Sequence, residues 1–208
     1  PNIVNCAIDQ REPHDNHTYN AAYGARGAGS NTPNSAWSRE VAARLLEWAG
    51  TDKPVLEPQV EEAEKVVRWI VRLKWEDDSL LLCDWSTVMG AHIRGYSTYV
   101  EDGRSDIEIG SKVFTAVTGI KKTQQELYED YDRLWTLERA IACREGRWAL
   151  DDDMSDQFFA WPCQYGRNTP DRFGGRATLK GILTKLYALV GWDEYGIPTR
   201  ERLRALGL

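Results

Sequence analysis

The segment from residue 57 to 83, EPQVEEAEKVVRWIVRLKWEDDSLLLC, most constrains the fold, because it is a long run with a helical repeat. Its apolar positions recur at spacings of three and four: Val60, Ala63, Val67 and Ile70. Such spacing places these side chains on one face of an α-helix. The sequence therefore predicts a long helix here, with that face against a core.

Two further segments have an amphipathic helical pattern, residues 34–50 and 177–192. In the first of them, the apolar positions and the glycine stop are Val41, Leu45, Trp48 and Gly50. A glycine after the last periodic residue is typical of a helix end. Near the end of the chain, Pro198 and Thr199 predict the start of a short last helix, which Gly207 closes.

Two capping boxes predict further helix starts, Ser105 with Glu108 and Thr123 with Glu126. In such a box the hydroxyl accepts from the third helical amide while the acid reaches back to the cap. The second box opens a predicted helix that ends at Gly146. Its stripe, whose apolar members should face a core, consists of Leu127, Tyr131, Leu134, Glu138 and Ile141.

These patterns predict an all-α fold with long irregular connections, because no alternating run is long enough for a strand. Residues 1–35 are rich in Asn, Gly, Pro and His and are expected to be an irregular N-terminal segment. Residues 36–208 are expected to form the helical domain. Within it, residues 150–176 are acidic, aromatic and rich in Pro and Gly, which is typical of a functional or wrapping loop.

The composition argues against several classes of partner. The chain carries a net charge of -6 at pH 7, and its basic residues are interspersed with acids. Because phosphate binding depends on clustered Lys and Arg, no nucleic-acid partner is expected. No apolar run approaches the ~20 residues of a membrane span, and no signal peptide opens the chain. The first residue is Pro1 rather than Met, which suggests a processed, truncated or cropped chain.

Cys83 has two interpretations. As a structural residue it would be a small buried hydrophobe at the end of a leucine run, a common environment for free cysteine. As a functional residue it would be a thiolate bound to iron, but a four-iron cluster takes four thiolates. Cys6, Cys143 and Cys163 lack the close spacing that would supply the others. A cluster on Cys83 would therefore need ligands from outside this chain, and the scattered cysteines favour reduced thiols in the cytoplasm.

Two histidines, His14 and His17, lie three residues apart in REPHDNHTY. Zinc would need further ligands at defined spacing, so polar loop residues facing solvent or a substrate channel are the preferred interpretation. Two other patterns lack the required context. GARGAG at 24–29 follows no strand, and DDDMSDQ at 151–157 lacks the glycine and glutamate of a calcium loop. The acids of the latter are interpreted as charge at a loop entrance.

Three stretches combine into a more specific pattern: DDSLLLC at 77–83, LWTLERAIACREG at 134–146, and GWDEYGIPTRERLRALGL at 191–208. Together they resemble the C-terminal domain of the aldehyde ferredoxin oxidoreductase family, tungsten enzymes with a bis-pyranopterin cofactor. The tail is the most specific of the three, because its elements follow in the family's order at the end of the chain. The middle stretch departs from the family's usual asparagine at Ala142 and is interpreted as a core helix. The resemblance covers residues 60–208.

In that family, a D-x-x-G-L-C motif holds the pterin and supplies the fourth cysteine of a 4Fe-4S cluster. The resemblance places Asp78 on the aspartate, Leu82 on the leucine and Cys83 on the cysteine. Leu81 stands where the family has glycine. An aspartate suits the first position, because a carboxylate accepts hydrogen bonds well from the amide-like N–H groups of a pterin.

The resemblance implies that residues 36–208 are the C-terminal domain of a larger tungstopterin oxidoreductase. Such an enzyme oxidises aldehydes to carboxylic acids and passes electrons through a 4Fe-4S cluster to ferredoxin or an electron-transfer subunit. The implied cofactors are the tungsten bis-pyranopterin, the cluster, and Mg2+ bridging the pterin phosphates. The other cluster cysteines would lie in the remaining domains of the same enzyme.

Two alternatives remain open. One is the catalytic subunit region of a tungsten-dependent benzoyl-CoA reductase, which acts on an acyl substrate. The other is an α-helical interaction module that binds no cofactor.

Overall fold

The computed structural model of the protein describes residues 47–52, 61–81, 108–156, 159 and 175–208. The helices within these ranges are α1 (Ala63–Leu80), α2 (Ile109–Thr118), α3 (Gln124–Arg144), α4 (Gly175–Val190) and α5 (Arg200–Ala205). The one β-type pairing there is an isolated antiparallel bridge between Trp192 and Pro198. The predicted all-α fold is confirmed for this part of the chain, and no helix in it is long and apolar enough to cross a bilayer.

The predicted long helix is confirmed as α1, and its inward face is apolar. Ala63 and Val67 are buried as predicted, and Leu73 extends the same face. Val60 lies outside the described residues. α1 packs mainly against α4, whose most deeply buried leucines are Leu179, Leu183 and Leu186. Each leucine of this kind contributes ~1.5–3 kcal/mol to folding, so the pairing of α1 with α4 forms the main core.

The helix predicted over residues 34–50 is described only at its end. Residues 47–49 are helical. Gly50 follows with φ 76°, and its N–H donates to the Glu47 carbonyl at 3.0 Å, as expected of a glycine stop. The ring centroid of Trp48 lies 6.2 Å from that of Trp69 on α1, so the end of this helix packs near α1. Val41 and Leu45 lie outside the described residues.

The capping box at the start of α3 is confirmed. Thr123 is the N-cap, and its Oγ1 accepts from the Glu126 amide at 3.2 Å. The Glu126 carboxylate in turn accepts from the Thr123 amide at 2.7 Å. Both bonds satisfy amide groups that a helix start would otherwise leave without partners.

The stripe predicted along α3 is right at its N-terminal end and wrong at its C-terminal end. Leu127 and Tyr131 are buried, and Leu134 packs beside them. Ile141, predicted to face a core, is 47% exposed. In this half of the helix Arg139 faces the interior instead. It does so because the buried Asp152 carboxylate and the Gly196 carbonyl accept its hydrogen bonds.

The start of α2 differs from the prediction. The helix begins at Ile109 with Glu108 at the N-cap, so Glu108 does not occupy the third helical position of a capping box. Ser105 lies outside the described residues. The amide of Ser111 donates instead to Oε1 of Gln124, on α3, at 3.0 Å. A side chain distant in sequence thus replaces the local cap, which periodicity alone could not predict.

A buried ion pair joins α3, α4 and the loop after α3. Arg139 donates to both Asp152 oxygens, at 2.9 and 2.7 Å, and Asp152 is fully buried. Arg147 and the Tyr187 hydroxyl also donate to Asp152, at 3.1 and 2.5 Å. The acids of residues 151–157 were interpreted as charge at a loop entrance, and for Asp152 this is wrong. An acidic residue in a loop is usually exposed to solvent. Asp152 is buried instead, and two arginines compensate its charge.

The tail stretch at 191–208 forms a compact turn followed by α5. Trp192 is buried, with its ring 5.1 Å from that of Trp135. Asp193 accepts from the amides of residues 195 and 197. Gly196 has φ 70°, and a Cβ there would lie 2.5 Å from an Arg139 nitrogen. Thr199 caps α5 by accepting from the Arg202 amide at 3.1 Å. The predicted last helix and its glycine stop, which has φ 67°, are confirmed.

α1 ends in a left-handed turn without a glycine. Leu81, its C-cap, has φ 55° and ψ 38°, and its amide donates to the Asp78 carbonyl at 3.4 Å. The Leu81 side chain is 92% exposed. A non-glycine residue in this conformation costs ~1–2 kcal/mol, and Leu81 recovers little of it by burial. The backbone at this position is therefore one that favours glycine.

We predict that Asp152→Asn lowers the free energy of unfolding of the chain by ~3–5 kcal/mol, because Arg139 would lose its buried counter-charge. Urea denaturation followed by circular dichroism measures the change. Glu145→Gln, at an exposed carboxylate just after α3, is the control and should stay within ~0.5 kcal/mol of wild type. Equal stability of both variants would contradict the role given to this ion pair.

We predict that Leu81→Gly stabilises the chain. The substitution should raise the free energy of unfolding by ~1 kcal/mol, because glycine adopts the left-handed conformation without strain. Ser79→Gly is the matched control, since Ser79 is exposed in the last turn of the same helix. That substitution should lower stability by ~0.5 kcal/mol, because glycine weakens a helix interior. A loss of stability in both variants would show that residue 81 does not adopt the left-handed conformation.

Candidate functional site

The C-terminal end of α1 carries the predicted pterin-binding aspartate. Asp78 lies in the last turn of the helix, and its side chain is exposed. Within the described ranges, no hydrogen bond or ion pair to another side chain occupies its carboxylate. Three residues later the backbone turns at Leu81. The helix therefore presents a hydrogen-bond acceptor to its surroundings, next to a left-handed residue at its C-terminal end.

Several of the predicted site residues cannot be placed beside Asp78. Leu82 and Cys83 follow the turn directly but lie outside the described residues, as do His14 and His17. Their proposed roles therefore stay predictions. Among the residues that the structure does describe, no group of three or more His, Cys, Asp or Glu side chains is placed to hold a metal ion.

Glu76 lies two residues before Asp78 and has the opposite environment. Its side chain is fully buried and packs against the first turn of α2, where a Cβ on Gly110 would overlap the Glu76 carboxyl group. Gln124 donates a hydrogen bond from Nε2 to Glu76 Oε2. The other oxygen, Oε1, is buried and has no hydrogen-bond partner in the described part of the chain.

The burial of Glu76 alters its chemistry. Removal from water raises the pKa of Glu76 to about 7, although the hydrogen bond from Gln124 opposes the shift. Two phenols of α3 share this environment. Burial, with the nearby Glu76 as a further cause, raises the pKa of Tyr128 to about 12 and that of Tyr131 further still. The interior around Glu76 therefore disfavours negative charge.

Glu76 is not among the site residues predicted from the sequence, although the helical repeat contains the necessary signal. Val66, Trp69, Leu73 and Glu76 follow one another at spacings of three, four and three, and all four are buried. An acid that continues an apolar stripe is expected to be buried with it. Neither Gly110 nor Gln124 could be assigned as its neighbour, because both are distant in sequence.

The free thiol in the described part of the chain, Cys143, does not have the environment of a reactive cysteine. Cys143 lies near the end of α3, half-buried, with its Sγ 3.8 Å from the Gly196 carbonyl oxygen. Burial raises the pKa of the Cys143 thiol, so the neutral form is favoured. Cys143 therefore serves packing beside the tail turn.

The end of α1 suits a pterin in two respects. The exposed Asp78 carboxylate is able to accept hydrogen bonds from ring N–H groups, which is the chemistry that the family motif requires. The backbone at Leu81 adopts the left-handed conformation that accounts for a glycine in that motif. The leucine at this position keeps the turn that glycine would form, and its exposed side chain occupies no packed interior.

Two comparisons with known proteins bear on the family and the fold of this chain. The family model described as aldehyde ferredoxin oxidoreductase, domains 2 and 3, matches residues 7–208. The match is longer than the resemblance at 60–208 and includes the segment that holds both histidines.

A similar solved structure is the active-site complex BamBC of benzoyl coenzyme A reductase, in complex with 1,5-dienoyl-CoA. It has a TM-score of 0.56 and 24% sequence identity, over 82% of this chain and 25% of that one. The likeness shows a shared fold, and this chain spans a quarter of the length of that protein. On the family match, the chain belongs to the aldehyde ferredoxin oxidoreductase family, in the part described as domains 2 and 3.

Proposed function

We propose that this chain is the C-terminal part of a tungstopterin oxidoreductase that oxidises aldehydes to carboxylic acids. Asp78 and the backbone of Leu82 would hold a pterin, and Cys83 would be one ligand of a 4Fe-4S cluster. Electrons would leave through that cluster to ferredoxin or an electron-transfer subunit. His14 and His17 are candidates for the substrate channel, and Mg2+ would bridge the pterin phosphates. The other domains of the enzyme, in the cytoplasm, would supply the remaining ligands.

One observation carries the proposal: Asp78 is exposed at a helix end that turns left-handed at the motif's glycine position. An aspartate in the last turn of a helix does not stabilise that helix, because the negative end of the helix dipole disfavours a carboxylate there. Its carboxylate makes no side-chain contact among the described residues that would explain it. A ligand with N–H donors that hydrogen-bonds to Asp78 would explain an exposed carboxylate at this place.

The contribution of this chain would be positioning. The reaction consumes an aldehyde and water and yields a carboxylate, two electrons and three protons. The metal–pterin group would supply the oxidation-state change when bound, and the protein sets geometry and electrostatics around it. Asp78 would orient the ring by accepting its N–H groups. Cys83, five residues further on, would bring the thiolate to the same end of α1, so the helix would serve both cofactors.

We predict that Asp78→Asn in the full-length protein reduces tungsten retention by about 10-fold or more, because an amide is a weaker acceptor than a carboxylate. The protein is produced without oxygen in the presence of tungstate, and metal per chain is measured by mass spectrometry. Asp156→Asn is the matched control, since Asp156 is exposed and its ion pair with Arg176 lies at the surface. Full tungsten content in the Asp78 variant would contradict its role.

Cys83→Ala is expected to abolish or destabilise the cluster, with loss of about four irons per chain. Iron analysis and the electron paramagnetic resonance signal of the reduced cluster measure the loss. Cys143→Ala, at the half-buried thiol of α3, should keep the cluster. A wild-type protein that folds without iron or tungsten would support an interaction module. If the protein binds both cofactors but does not oxidise aldehydes, the proposed substrate is wrong and the cofactor assignment stands.

A further inference from the structure

We propose that Glu76 is a positioning residue whose carboxylic proton keeps the last turns of α1 closed against α2 and α3. Release of that proton would open this contact and loosen the helix end that carries Asp78. Asp78's importance to the cofactor rests on the function proposed above, whereas the opening itself concerns only the packing of these helices.

The geometry leaves no room for water around the Glu76 carboxyl group. The side chain is fully buried, and the backbone of Gly110 lies so close that even a methyl group would not fit between them. Gln124 links the group to α2, because it donates to Glu76 through Nε2 and accepts from the Ser111 amide through Oε1. One side-chain amide thus holds α1 and the first turn of α2 together.

The groups around Glu76 do not compensate a negative charge. α2 faces it with Gly110 and Ser111. α3 contributes Gln124, Tyr128 and Tyr131. Burial raises the pKa of both tyrosines, and a negative charge on Glu76 raises it further.

On α1 itself, the next residue is Asp77, a second acid that is 5% exposed. Arg72, one turn earlier, is engaged with Asp132 through two nitrogens at 2.9 Å. α4 meets α1 through the apolar core residues. A buried carboxylate with a single donor in such surroundings is disfavoured, so the neutral acid is the form that fits.

An ionised Glu76 can be hydrated again only when its contact with α2 and α3 opens. The charge would be accommodated once α2 separates from α1 or the last turns of α1 unwind. Asp78, Ser79 and Leu81 lie within those turns, and their own side chains are exposed and contribute no packing to resist opening. The strained turn at Leu81 also favours opening. The burial of Glu76 therefore controls whether the helix end is ordered.

Hydrogen exchange measured by mass spectrometry on the full-length protein tests the inference. The opening constant of the peptide covering residues 73–81, corrected for the intrinsic rate, is followed from pH 5 to 9. With a pKa of about 7 when closed and 4.5 when open, opening should increase roughly 40-fold between pH 5 and 7 and then level off. Stability of the contact is thus greatest at low pH and is lost as pH rises towards 7.

Glu76→Gln should remove this pH dependence, because the amide fits the same space and cannot ionise. Glu129→Gln, at an exposed carboxylate on α3, is the control and should keep the wild-type profile. Gln124→Met gives a second test that does not depend on the folding of the first variant. Opening should then be greater at every pH, because Ser111 loses its acceptor, and the rise should extend to higher pH.

The exchange profile alone decides this inference. A wild-type profile that is flat from pH 5 to 7, or a rise that persists in Glu76→Gln, would overturn it. Tungsten content, measured on the same samples, decides the proposed function separately. A pH-dependent opening in a protein that never takes up tungsten would support the role of Glu76 and contradict the cofactor assignment.

Discussion

The rest of the described structure depends on the packing of α1, which is buried on two sides. One side meets the leucines of α4 in the main core, and the other meets α3 and the first turn of α2. Apolar burial is not directional, so the leucines alone would allow α1 to slide or rotate. Polar contacts of α1 are directional, among them that of Glu76 with Gln124 and that of Arg72 with Asp132, both on α3. The position of Asp78 is therefore set by polar contacts beside an apolar core.

The tail motif, the most specific part of the resemblance, is structural in its described residues. Trp192 fills the core, Asp193 closes a turn, and Thr199 caps α5. Gly196 leaves space for Arg139, which donates to its carbonyl at 2.8 Å and also holds Asp152. A family can be identified from such residues because their geometry tolerates few alternatives. They identify the fold, whereas the proposed chemistry depends on the less distinctive motif at the end of α1.

Local signals in the sequence were sufficient where a bond joins residues close along the chain. The box of Thr123 with Glu126 and the stop at Gly50 are confirmed, because their donors and acceptors lie within one turn. The stripe of α3 failed at Ile141, because the partner that draws the other face inward is Asp152, on a later loop. The start of α2 failed for the same reason, since Gln124 replaces the local cap. The periodicity of a sequence does not predict which polar groups, distant along the chain, will contact each other in the fold.

Glu76 and Asp78 differ in chemistry because of the helix that carries both. Residues two apart on an α-helix point about 200° away from each other, so one acid faces the interior when the other faces out. Burial raises the pKa of Glu76 to about 7 and favours its neutral form. Exposure leaves the Asp78 carboxylate able to accept hydrogen bonds from a ligand. A one-residue shift in the register of α1 would move both acids off these faces, and the contact of Glu76 with the backbone of Gly110 opposes that shift.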